Sequence, residues 1–460
     1  MSKNKNIKAL KIAIFPSAQQ IEDLEFFKYL YKRAYNWYLD NKKFLYIEAG
    51  TRYTWQDASN DITALKEQGI CPWFIEKLPV ELWKSAFKTV DKAFVNMYEG
   101  RAGYPRFKKT SHNLKLGFDF SKCHFNDTEQ GSVKTRVKGD KPRLYLSLTG
   151  IGRVELHLKQ TLKYLGLYKS EMRSKHSLTE LRDMALDILK NKRKTDLKVS
   201  YDGLYWFISF GIEHSVESKP LSGSLGLDLG LKETLAYHKS DTQQEGLVAN
   251  INTERKLQVL KRRLINTQKK ASKFYPKNKG KRKRYKKHGT LKRLEYAIKL
   301  LHRKMNNIRK ERVYGIVKTL LELRPQVVVV ETLKIKQLMS NSKLGASFQK
   351  QALGNILRII EYQTYFMGGE FRQANQWYAS SKLCSACGHK HPDLKLSDRV
   401  YHCSNCGMVI DRDINAARNL SALGYVADGD LVKTKVYGEK QGKKGINQSK
   451  PRKKRSKKVA

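Results

Sequence analysis

Four cysteines near the end of the chain have the spacing of a metal-binding site. Cys384 and Cys387 form one CxxC pair, Cys403 and Cys406 form a second, and fifteen residues separate the pairs. This is the spacing of a zinc ribbon, in which each pair supplies two sulfurs to one tetrahedral ion. Because four protein thiolates leave no open coordination position, the pattern predicts a structural Zn²⁺ site and not a catalytic one.

Three carboxylates on separate segments could bind catalytic cations. Asp228 lies in the apolar stretch GLDLG, Glu331 follows four consecutive valines, and Asp413 lies in DRDINAA directly after the cysteines. Hydrolysis of a phosphodiester by two divalent ions needs such a set, because carboxylates on a rigid scaffold hold the ions about 3.5–4 Å apart. Oxygen-only ligands favour Mg²⁺ or Mn²⁺. The glycines on either side of Asp228 would let a phosphate backbone approach closely.

A second aspartate competes for the third position. Asp411 and Asp413 both lie at the start of a predicted helix, where the helix dipole favours a carboxylate. One of the two could therefore be only an N-cap. Their positions in the sequence do not decide between them.

The elements that must position these acids can be read from the apolar pattern. The four valines at 327–330 are typical of a strand buried on both faces of a parallel sheet, and Glu331 stands at its C-terminal end, where α/β sheets place their chemistry. The strongly basic segment 254–312 is interrupted by FYPKNKGKRKRYKKHGT, which predicts a flexible loop, and its second half predicts a long helix with a narrow apolar stripe. The stripe consists of Leu294, Ile298, Leu301, Met305 and Ile308.

The first half of the chain predicts a different architecture. Residues 7–15 alternate as a strand, and Ser17 is a plausible N-cap for the helices that follow. After residue 100 the pattern becomes that of a small antiparallel barrel or sheet, with a helical piece near 178–192. Asp202-Gly203 within this region is a hairpin signal.

Composition limits the class of partner. The chain has 460 residues, of which 91 are Lys or Arg and 43 are Asp or Glu, so its formal net charge is +48. Such an excess predicts a polyanionic partner bound over a wide surface. No window approaches eighteen apolar residues and no signal peptide follows the first methionine, which argues against a membrane protein. Six cysteines, four of them in the CxxC pairs, favour a reducing compartment and predict a cytoplasmic protein.

Several basic residues are candidates for contact with nucleic acid. They lie after the helical segment, in the basic region and beside the third acid, where Lys and Arg could contact phosphates. The candidates are Arg106, Lys108, Lys109, Arg282, Arg284, Arg293, Arg303 and Arg412.

Several segments together resemble the TnpB family, the transposon-associated RNA-guided DNA endonucleases ancestral to type V CRISPR effectors. GLDLG, VVVVETLKIKQL and DRDINAARNL are similar to the three RuvC segments of the family, and SSKLCSACG with CSNCG is similar to its zinc ribbon. AFVNMYEGRAGYPRFKK resembles its junction between the helical lobe and the wedge domain. The resemblance covers most of residues 1–425 and implies that Asp413 is the third catalytic acid. Two departures are a longer insertion around residues 166–195 and ETL in place of ENL after the second acid.

The resemblance implies an α/β and β multi-domain fold: an RNase H-like (RuvC) nuclease domain with an inserted zinc ribbon, an N-terminal β-barrel wedge domain and a helical recognition lobe. The implied boundaries are 1–16 for the first wedge strand, 17–100 for the helical lobe, 101–216 for the wedge barrel, 222–380 for RuvC segments I and II, 381–407 for the ribbon, 408–425 for RuvC segment III and 426–460 for a basic, disordered tail.

The resemblance also implies a function. The protein would bind a guide RNA derived from the transposon end and cleave double-stranded DNA beside a short motif, using Mg²⁺ or Mn²⁺ at Asp228, Glu331 and Asp413. Base pairing would supply the sequence specificity. The alternatives are a compact type V CRISPR effector with the same chemistry and a non-cleaving RNA-guided repressor. The intact set of acids argues against the repressor, and no transposon-end-binding module of a DDE transposase is recognisable. The sequence leaves the oligomeric state open.

Overall fold

A computed structural model describes residues 7–110, 114–126, 142–192, 194–213, 220–230, 233–251, 254–275, 288–332, 352–395 and 398–435. These residues form two compact units, one within residues 1–214 and the other within residues 215–439. Among the helices that the structure describes, none combines the length and apolarity needed to span a bilayer.

The first unit combines a helical region with an antiparallel sheet. Its helices are α1 (Ala18–Ala49), α2 (Trp55–Glu67), α3 (Trp73–Glu76), α4 (Val80–Tyr98), α5 (Leu158–Leu165), α6 (Ser170–Lys175) and α7 (Leu178–Asn191). Its strands are β1 (Ile7–Phe15), β2 (Leu116–Phe118), β3 (His124–Asn126), β4 (Leu144–Leu148), β5 (Gly152–Leu156), β6 (Lys194–Tyr201) and β7 (Trp206–Glu213).

The strand at the start of the chain lies at the centre of this sheet. The seven strands have the order β2-β6-β7-β1-β5-β4-β3, and β1 pairs antiparallel with both β7 and β5. The predicted hairpin at Asp202 joins β6 to β7, and the Asp202 carboxylate accepts hydrogen bonds from the amides of Leu204 and Tyr205. Closure of the sheet into the predicted barrel stays a prediction, since the pairings of the described residues include none between β2 and β3.

The start of α1 follows the capping rules. Ser17 accepts a hydrogen bond from the amide of Gln20, and the Gln20 side chain accepts one from the amide of Ser17, so the two residues form a capping box. One face of α1 is buried in the same hydrophobic core as the inward side chains of β1, through Leu24, Phe27, Tyr31, Ala34 and Tyr38. Burial of one face of a long helix, and not helix propensity alone, therefore stabilises this region.

The second unit is built on a mixed sheet. Its strands are β8 (Ser222–Leu229), β9 (Leu235–Lys239), β10 (Gln244–Val248), β11 (Pro325–Val330), β12 (Glu370–Ala374), β13 (Val400–His402), β14 (Val409–Asp411) and β15 (Val432–Lys435). Its helices are α8 (Arg255–Ser272), α9 (Gly289–Glu322), α10 (Leu353–Phe366) and α11 (Arg412–Ala422), and a 3₁₀ turn covers Leu423–Tyr425.

Six strands form the main sheet of this unit, in the order β10-β9-β8-β11-β12-β15. Strand β11, which contains the four valines, pairs parallel with β8 on one side and with β12 on the other. β8 and β12 are therefore its two neighbours, and both of its edges are hydrogen-bonded, as the run of valines predicts for a central strand.

Strand β8 has one leucine face and one face of small and acidic residues. Leu225, Leu227 and Leu229 enter the hydrophobic core of the unit, and the residues between them face the opposite way because side chains alternate along a strand. Helix α11 crosses this opposite face so closely that a Cβ on Gly226 would stand 2.1 Å from the carbonyl oxygen of Ala417. The prediction that this glycine makes room for a phosphate backbone is therefore wrong, because the backbone of α11 occupies that space.

The end of the chain corrects another prediction. Residues 426–460 were expected to form a disordered basic tail, yet Val432–Lys435 forms strand β15, which pairs antiparallel with β12. The tail is rich in lysine, but residues 432–435 (VKTK) alternate as a strand does, and Val432 is buried. The Asp428 carboxylate accepts hydrogen bonds from the amide and the hydroxyl of Thr434 and thereby fixes the turn before the strand. The rest of the expected tail, 436–460, lies outside the described residues.

Gly226→Ala should destabilise the second unit by about 3 kcal/mol or more, the upper end of the usual cost of overpacking, because the obstructing atoms belong to the backbone. Thermal unfolding measures this loss. The matched control is Gly315→Ala in α9, where an added Cβ would meet no atom within 4 Å and alanine has the better helix propensity. Equal melting temperatures for Gly226→Ala and the parent protein would contradict the close crossing of α11.

Candidate active site and metal centre

The register of the parallel pair β8–β11 brings two of the predicted acids together. Val330 is paired with Leu227, so Glu331 and Asp228 occupy the next position on neighbouring strands. Both lie at the C-terminal end of their strands, and both are partly buried. The strand pairing thus places two carboxylates side by side at the edge where open α/β sheets bind their ligands.

The third acid comes from the first turn of α11. Asp411 is the N-cap of this helix, because its carboxylate accepts hydrogen bonds from the amides of Asp413 at 2.8 Å and Ile414 at 3.2 Å. Asp413 lies inside the first turn, one helical turn before the Ala417 carbonyl that covers β8. The structure therefore distinguishes the two aspartates between which the sequence could not choose: Asp411 caps the helix, and the charge of Asp413 acts on Asp228.

The other two acids both act electrostatically on Asp228. Burial, and then the negative charges of Glu331 and Asp413, raise the pKa of Asp228 well above its ordinary value. The positive charge of Arg412 acts in the opposite direction. Arg412 contacts Asp413 at 3.2 Å between Nη2 and Oδ1, and Arg399 approaches the other carboxylate oxygen of Asp413 at 3.9 Å. The two arginines thus offset the negative charge of Asp413, which would otherwise add to the repulsion among the carboxylates.

This repulsion leads to a prediction for the protein without added divalent ions. The pKa of Asp228 is raised in the folded protein, whereas an unfolded aspartate loses its proton near pH 4. The free energy of unfolding therefore falls as the pH rises above about 4, and it stops falling once the pH has passed the raised pKa. Asp228→Asn removes this loss of stability. The variant should therefore melt higher than the parent at pH 8, by about 2–4 °C for each kcal/mol of relieved repulsion, and the difference should vanish toward pH 4. Scanning calorimetry at both pH values measures it.

Asp241→Asn is the control of opposite sign. Burial acts to raise the pKa of Asp241, but hydrogen bonds from Lys239 and Ser222 outweigh it and hold the pKa at about 2. Its ionised form therefore stabilises the fold, and the asparagine variant should melt lower than the parent at pH 8. A lower melting temperature for both variants at pH 8 would contradict the assignment of Asp228 to a repulsive cluster.

The four predicted cysteine ligands lie together. The Sγ atoms of Cys384, Cys387, Cys403 and Cys406 all lie within 4.8 Å of one another, with 3.6 Å between Cys384 and Cys406 and 3.5 Å between Cys387 and Cys403. Four thiolates around a Zn²⁺ ion at about 2.3 Å have sulfur–sulfur separations near these values. The donor set therefore fits a tetrahedral metal ion. The strands β13 and β14 form a two-stranded sheet beside it.

The ribbon is attached to α11 by two buried asparagines, one turn apart. Asn415 donates to the carbonyl of Leu383 at 2.7 Å and accepts from the amide of Ser385 at 2.9 Å. Asn419 donates to the carbonyls of Ser380 and Leu383 at 2.8 and 2.7 Å. The first cysteine pair is thus fixed to the helix that carries Asp413.

The predicted nucleic-acid contacts are divided between the two units. Arg106, Lys108 and Lys109 are exposed in the first unit, where Lys108 exchanges two hydrogen bonds with the side chain of Asn36. In the second unit Arg293 is exposed on α9, Arg303 is partly buried on the same helix, and Arg412 lies beside Asp413. Arg282 and Arg284 lie outside the described residues.

Sequence reasoning missed the residues that orient the acids. Ser380 donates a hydrogen bond from Oγ to Oε1 of Glu331 at 2.5 Å, and Arg399 approaches Asp413. Neither has a distinctive motif of its own. The spacing of Asn415 and Asn419 did carry a signal, because two asparagines four residues apart on a buried helix face must find hydrogen-bond partners.

The arrangement can bind divalent cations through oxygen. Asp228 and Glu331 lie side by side at one sheet edge. Burial, and then the charges of Glu331 and Asp413, raise the pKa of Asp228, and bound cations would offset those charges. Carboxylate oxygens suit Mg²⁺ or Mn²⁺. Side chains of this kind support hydrolysis of phosphodiesters when the backbone of a nucleic acid enters the site.

Comparison with known proteins identifies similar chains. The family model "Cas12f1-like, TNB domain" matches residues 354–420, which include most of α11 and the four cysteines of the two CxxC pairs. A Streptomyces pristinaespiralis protein named as a candidate RNA-guided DNA endonuclease is 24% identical over 96% of both chains. InsQ of Escherichia coli K12, named in the same way, is 23% identical over 94% of this chain and 96% of its own.

A solved structure has a fold similar to that of this chain. The Cas12f1 chain in a Cas12f1–sgRNA–target DNA complex aligns with 91% of this chain and 99% of its own, with a TM-score of 0.50 and 13% sequence identity. At this level of identity the match concerns the fold. This chain therefore shares its fold with a Cas12 effector.

Proposed function

We infer that this chain belongs to the TnpB family and is an RNA-guided DNA endonuclease. The similarity to the Streptomyces and Escherichia coli proteins extends over almost the full length of both partners, so it covers the half with the predicted RNA-binding elements as well as the half with the acids. The observation that carries the proposal is that Asp228 and Glu331 lie side by side at one sheet edge, within range of the charge of Asp413, in a chain with this fold.

We propose that this edge is a RuvC-type nuclease site. Asp228, Glu331 and Asp413 would hold Mg²⁺ or Mn²⁺, and two such ions, when bound, supply an activated water and stabilise the leaving oxygen. The chain's own side chains prepare the site: Ser380 orients Glu331, Asp411 fixes the first turn of α11, and Arg412 and Arg399 orient Asp413. Arg412 and Arg399 would also bring positive charge close to the phosphate oxygens of a nucleic acid bound at this edge.

The cysteine cluster is proposed to hold one structural Zn²⁺ ion. Its four thiols fill a tetrahedral shell, and the amide contacts of Asn415 connect the folded ribbon to α11. The ribbon would thus support the site mechanically. Because four thiolates would occupy every coordination position, the zinc ion itself would not take part in catalysis.

The partners follow from the same similarity. The Cas12f1 structure contains a single guide RNA and target DNA, and we propose a guide RNA and double-stranded DNA as the partners of this chain. We also propose the domain boundaries of the family layout, with the first unit as wedge and recognition region. The net charge of +48 supports polyanionic partners of this size.

The test begins with the protein expressed beside its native flanking DNA. We expect one abundant structured RNA to co-purify, ending in a segment that derives from outside the gene. With Mg²⁺, this complex should cut a plasmid that matches the RNA and spare one with mismatches near the start of the paired segment. Absence of bound RNA, or cleavage that ignores the match, would overturn the guided assignment.

A compact type V CRISPR effector is the second candidate, because the matching family model is described as Cas12f1-like. Both candidates use the same site. The sequence of the co-purified RNA separates them, since CRISPR repeats would indicate the effector and a transposon end would indicate the TnpB type.

A further inference from the structure

The segment between the sheet and the first cysteine pair connects two sites. Ser380 is 1% exposed and lies four residues before Cys384. Its hydroxyl donates to Oε1 of Glu331 at 2.5 Å, a short hydrogen bond to a carboxylate of the kind that fixes an acid in one rotamer. Because a single donor engages one of the two carboxylate oxygens, it sets the direction in which the other one points.

The same serine is bound to α11 through its backbone. Asn419 donates from Nδ2 to the carbonyls of Ser380 and Leu383, and Asn415 contacts both Leu383 and Ser385 on either side of Cys384. A continuous set of hydrogen bonds therefore runs from the neighbours of a metal ligand to Glu331. Asn415 is fully buried and Asn419 nearly so. Loss of their hydrogen-bond partners would therefore leave buried amide groups unsatisfied and destabilise the fold.

We propose that Ser380 is a positioning residue that couples the cysteine ribbon to Glu331, so that a metal-loaded ribbon raises the affinity of the acidic cluster for divalent cations. This inference rests on the proposed function. The physical reason is that a ribbon of this size folds around its metal, and only the folded ribbon presents Leu383 and Ser385 to the asparagines. Ser380 is then held where its hydroxyl reaches Glu331. Such coupling is reciprocal between the two metal sites.

The test measures binding of Mn²⁺ to the zinc-loaded, nucleic-acid-free full chain by electron paramagnetic resonance. Ser380→Ala should weaken Mn²⁺ binding about tenfold, the lower end of the usual effect of removing a group that orients a metal ligand. Ser380→Thr keeps the hydroxyl and should recover most of this affinity. Ser385→Ala is the matched control, because it removes a hydroxyl in the ribbon but keeps the backbone amide that Asn415 binds.

A second arm tests the coupling itself. Removal of the ribbon metal by a zinc-selective chelator should weaken Mn²⁺ binding to the parent protein by a similar factor. It should have little further effect on Ser380→Ala, because the connection is already broken. Two independent, additive losses would contradict the coupling.

The possible failures are distinguishable. If Ser380→Ala lowers the melting temperature but binds Mn²⁺ like the parent, the residue is only structural and the inference is overturned. Asp228→Asn tests the proposed site itself, because this variant should lose Mn²⁺ binding whether or not Ser380 positions Glu331. If Asp228→Asn also binds Mn²⁺ like the parent, the acidic cluster is not the metal site and the proposed nuclease site fails with it.

Discussion

Asp413→Asn should lower the rate of target cleavage by about 10³-fold or more, while Asp411→Asn should leave it nearly unchanged. The first substitution removes a charged ligand of catalytic cations, whose stabilisation of the transition state is worth several kcal/mol. The second retains a side-chain oxygen at the N-cap, where asparagine and aspartate perform equally well. Single-turnover cleavage of a matched DNA by the RNA-loaded protein measures both rates.

The two aspartates differ in a further way that serves as a control. Asp411→Ala should cost about 1 kcal/mol of stability because the amides of Asp413 and Ile414 lose their partner. Its cleavage rate should fall much less than that of Asp413→Asn. A loss of cleavage in Asp411→Asn equal to that in Asp413→Asn would mean that the N-cap, and not Asp413, is the third acid.

Cys403→Ser should abolish stoichiometric zinc and unfold the ribbon. The buried residues of the ribbon core are Cys384, Tyr401 and Cys403, with Leu394, Met408 and Ile410 packed against them. So few apolar side chains cannot stabilise a fold without a metal. Structural zinc contributes about 10–16 kcal/mol in small zinc domains, far more than this core. Metal analysis of the purified protein and limited proteolysis of the ribbon measure the change.

The control for this substitution is Cys71→Ser in the first unit. Cys71 is a buried thiol outside the cluster, so its loss should leave one zinc per chain and a protected ribbon. We also expect Cys403→Ser to cleave DNA slowly, since α11 loses its contacts with the ribbon. One equivalent of zinc in Cys403→Ser would contradict the four-cysteine shell.

The parts of the molecule that were predictable are those with a strict local pattern. CxxC spacing requires four sulfurs around one ion, and four successive valines require a strand with neighbours on both sides, so the cysteine cluster and the central position of β11 followed from sequence. The joining of Asp228 and Glu331 needed the register of two strands about a hundred residues apart, which no local pattern contains.

The distinction between Asp411 and Asp413 also needed coordinates. Both residues satisfy the composition rules of a helix start, and only the direction of each carboxylate separates a cap from a ligand. Gly226 shows the same limit. A glycine beside an acid suggests an approaching ligand, but the neighbour that comes close is the backbone of α11, which is distant in sequence.

Strand β15 limits how far the protein can be shortened for use as a compact tool. A truncation after residue 425 would retain Asp228, Glu331, Asp413 and all six cysteines, yet it would remove Val432–Lys435 and leave β12 as an open edge strand. Open edges favour pairing between molecules, and Lys433 in β15 is a residue of the kind that discourages such pairing. A shortened protein that ends at residue 435 should stay monodisperse at concentrations at which one that ends at 425 aggregates.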